Sequence, residues 1–188
     1  MSLLHMNVRL AAVSALTLAL LVSTPARAQD ADSARQDGTP TGCAASKWPL
    51  DKERQAFEDA GIESISSGAA RGGWKDQAFA LTLQPETDVP YTLPPKKRKQ
   101  NADGPRYGAI VAFAAPEKAG RYQVTISGEG WIDLVQQGAP LKSAGHSSVE
   151  DCPGLRKSVR FSVVDAPVVL QISSAPGQSI KVAIRPVD

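Results

Sequence analysis

Histidine and cysteine are both scarce in this chain, with two residues of each among its 188. His5 lies in the N-terminal segment described next, so His146 is the only imidazole in the rest of the chain. A metal centre that needs two imidazole ligands is therefore not expected there. Long apolar runs are also lacking after residue 22, where no stretch approaches the ~18 residues that a membrane-spanning helix requires.

The first 28 residues have the pattern of a secretory signal peptide. Arg9 supplies the positive charge, Leu10 to Val22 form the apolar region, and Ala26-Arg27-Ala28 predicts cleavage after Ala28. The sequence thus predicts a periplasmic or secreted protein. Removing Arg9 and Arg27 from the 21 basic residues leaves 19, equal to the 19 acidic ones. A neutral chain does not favour nucleic acid as a partner.

The two cysteines, Cys43 and Cys152, both lie after the signal segment. In an oxidising compartment two thiols most simply form one disulfide, which would join the N-terminal segment to the distal half of the chain. The alternative is a pair of free, buried thiols.

The remaining ~160 residues are enough for one domain with its own core. Their composition divides them into three parts. Residues 29–46 lack aromatic and β-branched aliphatic side chains over most of their length and predict a flexible leader. Residues 47–76 predict a short helix over Asp51 to Ala60, followed by a linker that Gly68 to Gly73 interrupts. Residues 77–188 predict the folded β domain.

Apolar residues alternate with polar ones in this last part, as they do in strands with one buried face. The pattern predicts an antiparallel β-sandwich or jelly roll of about eight strands, with Val89 to Leu93 among them. The residues expected on the inner faces are Val124, Ile126, Phe161, Val163, Leu170, Ile172, Val182 and Ile184.

Lys96, Lys97, Arg98 and Lys99 form the strongest local concentration of charge. Four cations in a loop are suited to phosphate-bearing lipid or an anionic polymer of the cell envelope. The alternative is a solvated loop that keeps a sheet edge soluble.

Three tryptophans, Trp48, Trp74 and Trp131, are candidates for an aromatic platform that stacks against sugar rings. Trp74 follows two glycines and is expected to be exposed, whereas Trp131 is expected to fill the core from a central strand.

His146 is the other candidate binding residue, and Glu150, Asp151 and Cys152 follow it in a segment that predicts a loop. A metal bound there would compete with the disulfide for Cys152. We predict no metal, no cofactor and no catalytic residue, since neither a G-x-S-x-G motif nor a triad spacing occurs.

Two segments resemble known sequences. Gly120-Arg121-Tyr122-Gln123-Val124 followed by Trp131-Ile132-Asp133-Leu134-Val135 resembles the pre-peptidase C-terminal-like domains of bacteria. These are small secreted jelly-roll sandwiches, and the resemblance implies a binding or accessory role. The stretch from Cys152 to Phe161 is similar to small exported proteobacterial proteins of unknown role, some of which carry a homogentisate dioxygenase label.

The dioxygenase label conflicts with the residues, because an iron site of that kind needs two imidazoles and a carboxylate. We therefore expect a non-catalytic β-sandwich protein that binds or stabilises a carbohydrate, an anionic polymer or a protein of the envelope. The alternative is a small envelope enzyme, including the labelled activity, with a site assembled around His146.

Overall fold

The computed structural model describes residues 40–95 and 104–188. The predicted signal segment, the leader up to residue 39 and the basic residues 96–99 lie outside the described residues. The elements in chain order are a 3-10 turn (Gly42–Ala45), α1 (Asp51–Glu58), β1 (Glu63–Ser66), β2 (Ala69–Gly73), β3 (Gln77–Thr82), β4 (Gln84–Pro85), a second 3-10 turn (Glu86–Asp88), β5 (Tyr107–Ala114), β6 (Gly120–Ile126), β7 (Trp131–Gln136), β8 (Ala139–Pro140), β9 (Ser143–Ser148), β10 (Lys157–Val163), β11 (Val168–Ala175) and β12 (Ser179–Val187).

The strands form two sheets, with the order β1-β3-β12-β6-β10-β9 in sheet 1 and β2-β5-β11-β7-β8 in sheet 2. Without the edge strands β1, β2 and β9 and the two-residue strand β4, which pairs with β5, sheet 1 has the order β3-β12-β6-β10 and sheet 2 the order β5-β11-β7-β8. The chain passes from one sheet to the other at every connection between these strands except the turn from β7 to β8. This is the arrangement of a jelly roll. The predicted β-sandwich with one short helix is therefore confirmed.

The core lies between the two sheets, where the alternating side chains of both inner faces meet. All eight residues expected on the inner faces belong to it, and none is more than 2 % exposed. Their register follows directly from the period-two pattern, because a slip of one residue would turn these side chains toward solvent.

Helix α1 lies against the outer face of sheet 1. Its residue Phe57 and the preceding Leu50 are buried in a second, smaller apolar cluster that also contains Val149, Cys152 and Leu155. The helix ends two residues before the predicted end, at Glu58, where the Asp59 side chain accepts a hydrogen bond from the Gly61 backbone N–H at 2.8 Å.

The predicted linker within residues 47–76 is wrong, because this part of the chain contributes a strand to each sheet. β1 pairs with β3 and β2 pairs with β5, both in parallel orientation. Ile65 is the only buried residue of β1, and β2 has none, so neither strand carries the apolar alternation that reveals strands in a sequence. The predicted flexible leader is also too long, since Gly42–Ala45 form a 3-10 turn.

Val89 to Leu93 do not form the predicted strand but lie as a strap against the outer face of sheet 2. The Tyr91 hydroxyl donates to the Ile172 carbonyl at 3.1 Å, and the Gln171 side-chain amide bonds both the N–H and the carbonyl of Leu93. Hydrogen bonds that involve side chains thus take the place of the backbone hydrogen bonds that would pair this segment with a neighbouring strand. Burial, together with Glu86 and Asp133, raises the pKa of the Tyr91 hydroxyl. Within the described residues, no helix is long and apolar enough to cross a membrane.

Candidate functional site

A cleft of about 270 Å³ opens at one edge of the sandwich, between the β9–β10 side of sheet 1 and β7 of sheet 2. Its apolar lining consists of Ile132, Leu141, Val159 and Phe161. Its polar and aromatic lining consists of Trp131, Asp133, Ser143, His146, Ser148 and Lys157. Six of these ten residues come from β9 and β10, which form one wall.

The pairing of β9 with β10 explains why polar and apolar residues share this wall. His146 lies opposite Val159, Ser148 opposite Lys157, and Ser143 opposite Phe161. Residues that lie opposite each other point to the same face of a sheet. The inner face therefore carries core residues on β10 and polar residues on β9, where the sheet extends to its free edge.

Lys157 holds the aromatic side of the cleft in place. Its ammonium group donates a hydrogen bond to the Gly130 carbonyl at 2.7 Å and lies 5.1 Å from the centre of the Trp131 ring. A cation over an indole ring at this distance is attractive. Trp131 is only partly buried and lies outside the main core, so the prediction that its side chain fills the core is wrong, and the residue lines the cleft instead.

The predicted tryptophan platform does not form, because the three rings lie in different places. Trp74 is fully buried in the core, with ring centres 4.8 Å from Phe113 and 6.2 Å from Tyr122. Its predicted exposure is therefore wrong, since the residue that follows β2 packs between the sheets. Trp48 lies outside sheet 1, with the Arg160 guanidinium 4.1 Å from its ring centre.

The predicted disulfide is present, with Cys43 and Cys152 joined at an S–S distance of 2.03 Å. Cys152 is therefore not available as a thiolate ligand. His146 is not in a loop as predicted but on β9. Among residues 40–95 and 104–188, no group of three or more histidine, cysteine and carboxylate side chains is placed to hold a metal ion.

Among the described residues that were predicted to bind a ligand, His146 and the platform candidate Trp131 line the cleft, whereas Trp48 and Trp74 do not. Ser143, Ser148 and Lys157 were missed. The position of Lys157 could have been predicted from the sequence. It precedes Val159 by two residues and Phe161 by four, so its side chain lies on the same inner face of the strand. A lysine at an inner-facing position indicates an open end of the core.

The arrangement can bind a small ligand by shape and hydrogen bonding. An aromatic ring forms one side, hydroxyl and imidazole groups lie on the β9 wall, and apolar side chains line the rest. Small-molecule sites typically combine such an apolar lining with a few polar groups. No protein-family model, no curated protein and no solved structure matches this chain. The resemblance to pre-peptidase C-terminal-like domains remains a prediction.

Proposed function

We propose that this protein is a non-catalytic binding protein of the bacterial envelope and that its cleft takes a sugar unit of a carbohydrate. The observation that carries the proposal is a cleft that the partly buried Trp131 lines together with His146, Ser148 and several apolar side chains. The apolar face of a sugar ring stacks on an indole, and its hydroxyls bond to side chains such as serine and histidine.

The size of the cleft favours one ring rather than a polymer buried along its length. Its volume of about 270 Å³ lies just below the ~300–1,000 Å³ that is common for small-molecule sites. A longer chain would therefore place one unit in the cleft and leave the others outside. The basic residues 96–99 would add attraction for an anionic polymer.

An extracellular or periplasmic location is part of the proposal. The signal pattern of residues 1–28 supports it, and a disulfide of this kind persists in oxidising compartments.

Isothermal titration calorimetry with N-acetylglucosamine and N-acetylmuramic acid oligomers tests the proposal. We expect measurable binding of at least one of them and a loss of about tenfold or more in Trp131→Ala, since an aromatic contact contributes ~0.5–1.5 kcal/mol beyond its buried area and 1.4 kcal/mol is about tenfold. Lys157→Ala should also weaken binding. Lys142→Ala is the matched control, because Lys142 is exposed and does not line the cleft.

Two results would contradict the proposal. The first is the lack of binding to either sugar by the wild-type protein. The second is wild-type affinity in Trp131→Ala, provided that circular dichroism shows the variant to be folded.

A further inference from the structure

Residues 43–48, which we call the clasp, pack on the back of the β9 wall. The Lys47 backbone N–H donates to the Ser147 hydroxyl at 3.0 Å, and the Ser46 hydroxyl lies 3.3 Å from the same oxygen. Ser147 is 3 % exposed although β9 is an edge strand. Its neighbours His146 and Ser148 line the cleft, and successive side chains of a strand point to opposite faces. The clasp therefore contacts the reverse side of the wall.

Trp48 extends this contact across both strands of the wall. Its indole N–H donates to the Ser158 hydroxyl at 3.2 Å, and the Arg160 guanidinium stacks on its ring. On β9, a Cβ placed on Gly145 would lie 3.8 Å from the Trp48 ring, so the two are in close proximity. The clasp thus supports an edge strand whose one neighbour among the described strands is β10.

The disulfide fixes the far end of the clasp. Cys43 bonds Cys152, which follows the last residue of β9 by four positions. Cys43 is exposed, whereas Cys152 is 7 % exposed. Exposed disulfides are more open to reduction than buried ones. The main core contains no residue of the clasp, so the clasp makes no direct contribution to the packing between the sheets.

We propose that the Cys43–Cys152 disulfide is a redox control of the cleft, such that its reduction releases the clasp, loosens β9 and weakens ligand binding. This inference rests on the proposed function for its effect on binding. The reductant is a dithiol. One of its thiolates attacks the sulfur of Cys43 and displaces the Cys152 thiolate, which takes up a proton. The second thiol then attacks the mixed disulfide, releasing Cys43 as a thiol and leaving the dithiol oxidised, so that two electrons and two protons reach the protein.

Hydrogen exchange of the backbone amides, with and without dithiothreitol, tests this proposal independently of any ligand. We expect exchange in β9 to accelerate by about tenfold or more on reduction, while the central strands β6 and β11 keep their protection. The double variant Cys43→Ser/Cys152→Ser should match the reduced protein and should not respond to dithiothreitol. Ser147→Ala, which keeps the disulfide but loses the clasp contact, should show part of the same acceleration.

Calorimetry with the oligomers named above gives the second readout. The reduced protein should bind at least about fivefold more weakly than the oxidised protein. Unchanged exchange in β9 on reduction would overturn the proposal, and so would loss of protection in β6 and β11, which would show that the disulfide supports the whole fold. Equal affinity of the two redox forms contradicts control of the cleft but leaves the proposed function standing. Loosening of β9 in a protein that binds neither sugar supports the redox device and contradicts the proposed function instead.

Discussion

Replacing Glu53 by alanine is expected to lower the free energy of unfolding by about 2–4 kcal/mol. Glu53 lies on α1 and is 3 % exposed, which is unusual for a carboxylate. It accepts a hydrogen bond from the Gln123 side-chain amide at 2.8 Å and lies 3.5 Å from the Arg185 guanidinium. These contacts join the helix to the outer face of sheet 1.

The magnitude follows from what each partner keeps after the substitution. The Gln123 amide N–H becomes unsatisfied in a buried position, which costs ~1–3 kcal/mol. Arg185 keeps Asp76 at 2.8 Å, so its loss is limited to about 1 kcal/mol. Glu53→Gln retains an acceptor for Gln123 and should lose only about 1 kcal/mol.

Urea unfolding followed by circular dichroism measures these differences as shifts of the midpoint at constant slope. Glu58→Ala is the matched control, because it is the same substitution on an exposed position of the same helix, and it should stay within ~0.5 kcal/mol of wild type. If Glu53→Ala also stays within that range, the buried network does not hold the helix to the sheet and our reasoning is refuted.

Four further predictions follow from other parts of the molecule. Phe161 is 2 % exposed, so Phe161→Ala should lower the free energy of unfolding in urea by ~3–5 kcal/mol. Val164→Ala, at a residue 49 % exposed, is the control and should change it very little, and a loss below ~0.5 kcal/mol in Phe161→Ala would refute the burial of Phe161. Gly108→Ala should destabilise the fold, since its Cβ would lie 1.9 Å from the Tyr91 hydroxyl oxygen and 2.7 Å from a backbone carbonyl; an unchanged melting temperature would contradict this packing. The pKa of the Tyr91 hydroxyl is raised above its ordinary value of 10.0, so the contribution of Tyr91 to stability is complete below about pH 10 and is lost as the pH rises toward the folded-state pKa. Between about pH 8 and pH 11, Tyr91→Phe should therefore lose less free energy of unfolding than the wild type, and equal losses would contradict the raised pKa. Replacing Lys96, Lys97, Arg98 and Lys99 by glutamine should weaken binding to an anionic polysaccharide and reduce the dependence of that binding on salt concentration. If binding by the wild-type protein does not depend on salt, these four residues do not bind the polymer.

The strands in which apolar and polar residues alternate strictly could be predicted from the sequence, whereas the edge strands that have few apolar residues could not. The pattern of Val159, Phe161 and Val163 predicts a strand with one inner face, and the structure confirms it. β9 is composed of serine, alanine, glycine and histidine, so nothing in its sequence marks it as a strand. It forms because β10 offers a ladder and the clasp covers its outer side.

The cleft was less predictable than the fold, because it depends on where the two sheets end relative to each other. His146 could be selected as a candidate from its scarcity alone, but its partners come from strands that pair only in the folded state. Trp74 and Trp131 show the same limit. Trp74 follows two glycines and nevertheless lies in the core, whereas Trp131 begins a largely buried strand and still lines the cleft.

The position of the cleft would connect the proposed ligand binding to the core. Ile132, Val159 and Phe161 belong to the main core, and they also line the cleft. β9 extends the inner face of sheet 1 with mostly exposed polar side chains, and it would cost free energy to cover such groups with sheet 2 unless they found new hydrogen-bond partners. A polar edge strand therefore leaves a gap, and it is in this gap that we propose a sugar binds. Because the same strand carries the clasp contact on its other face, a single strand connects the ligand wall to the disulfide.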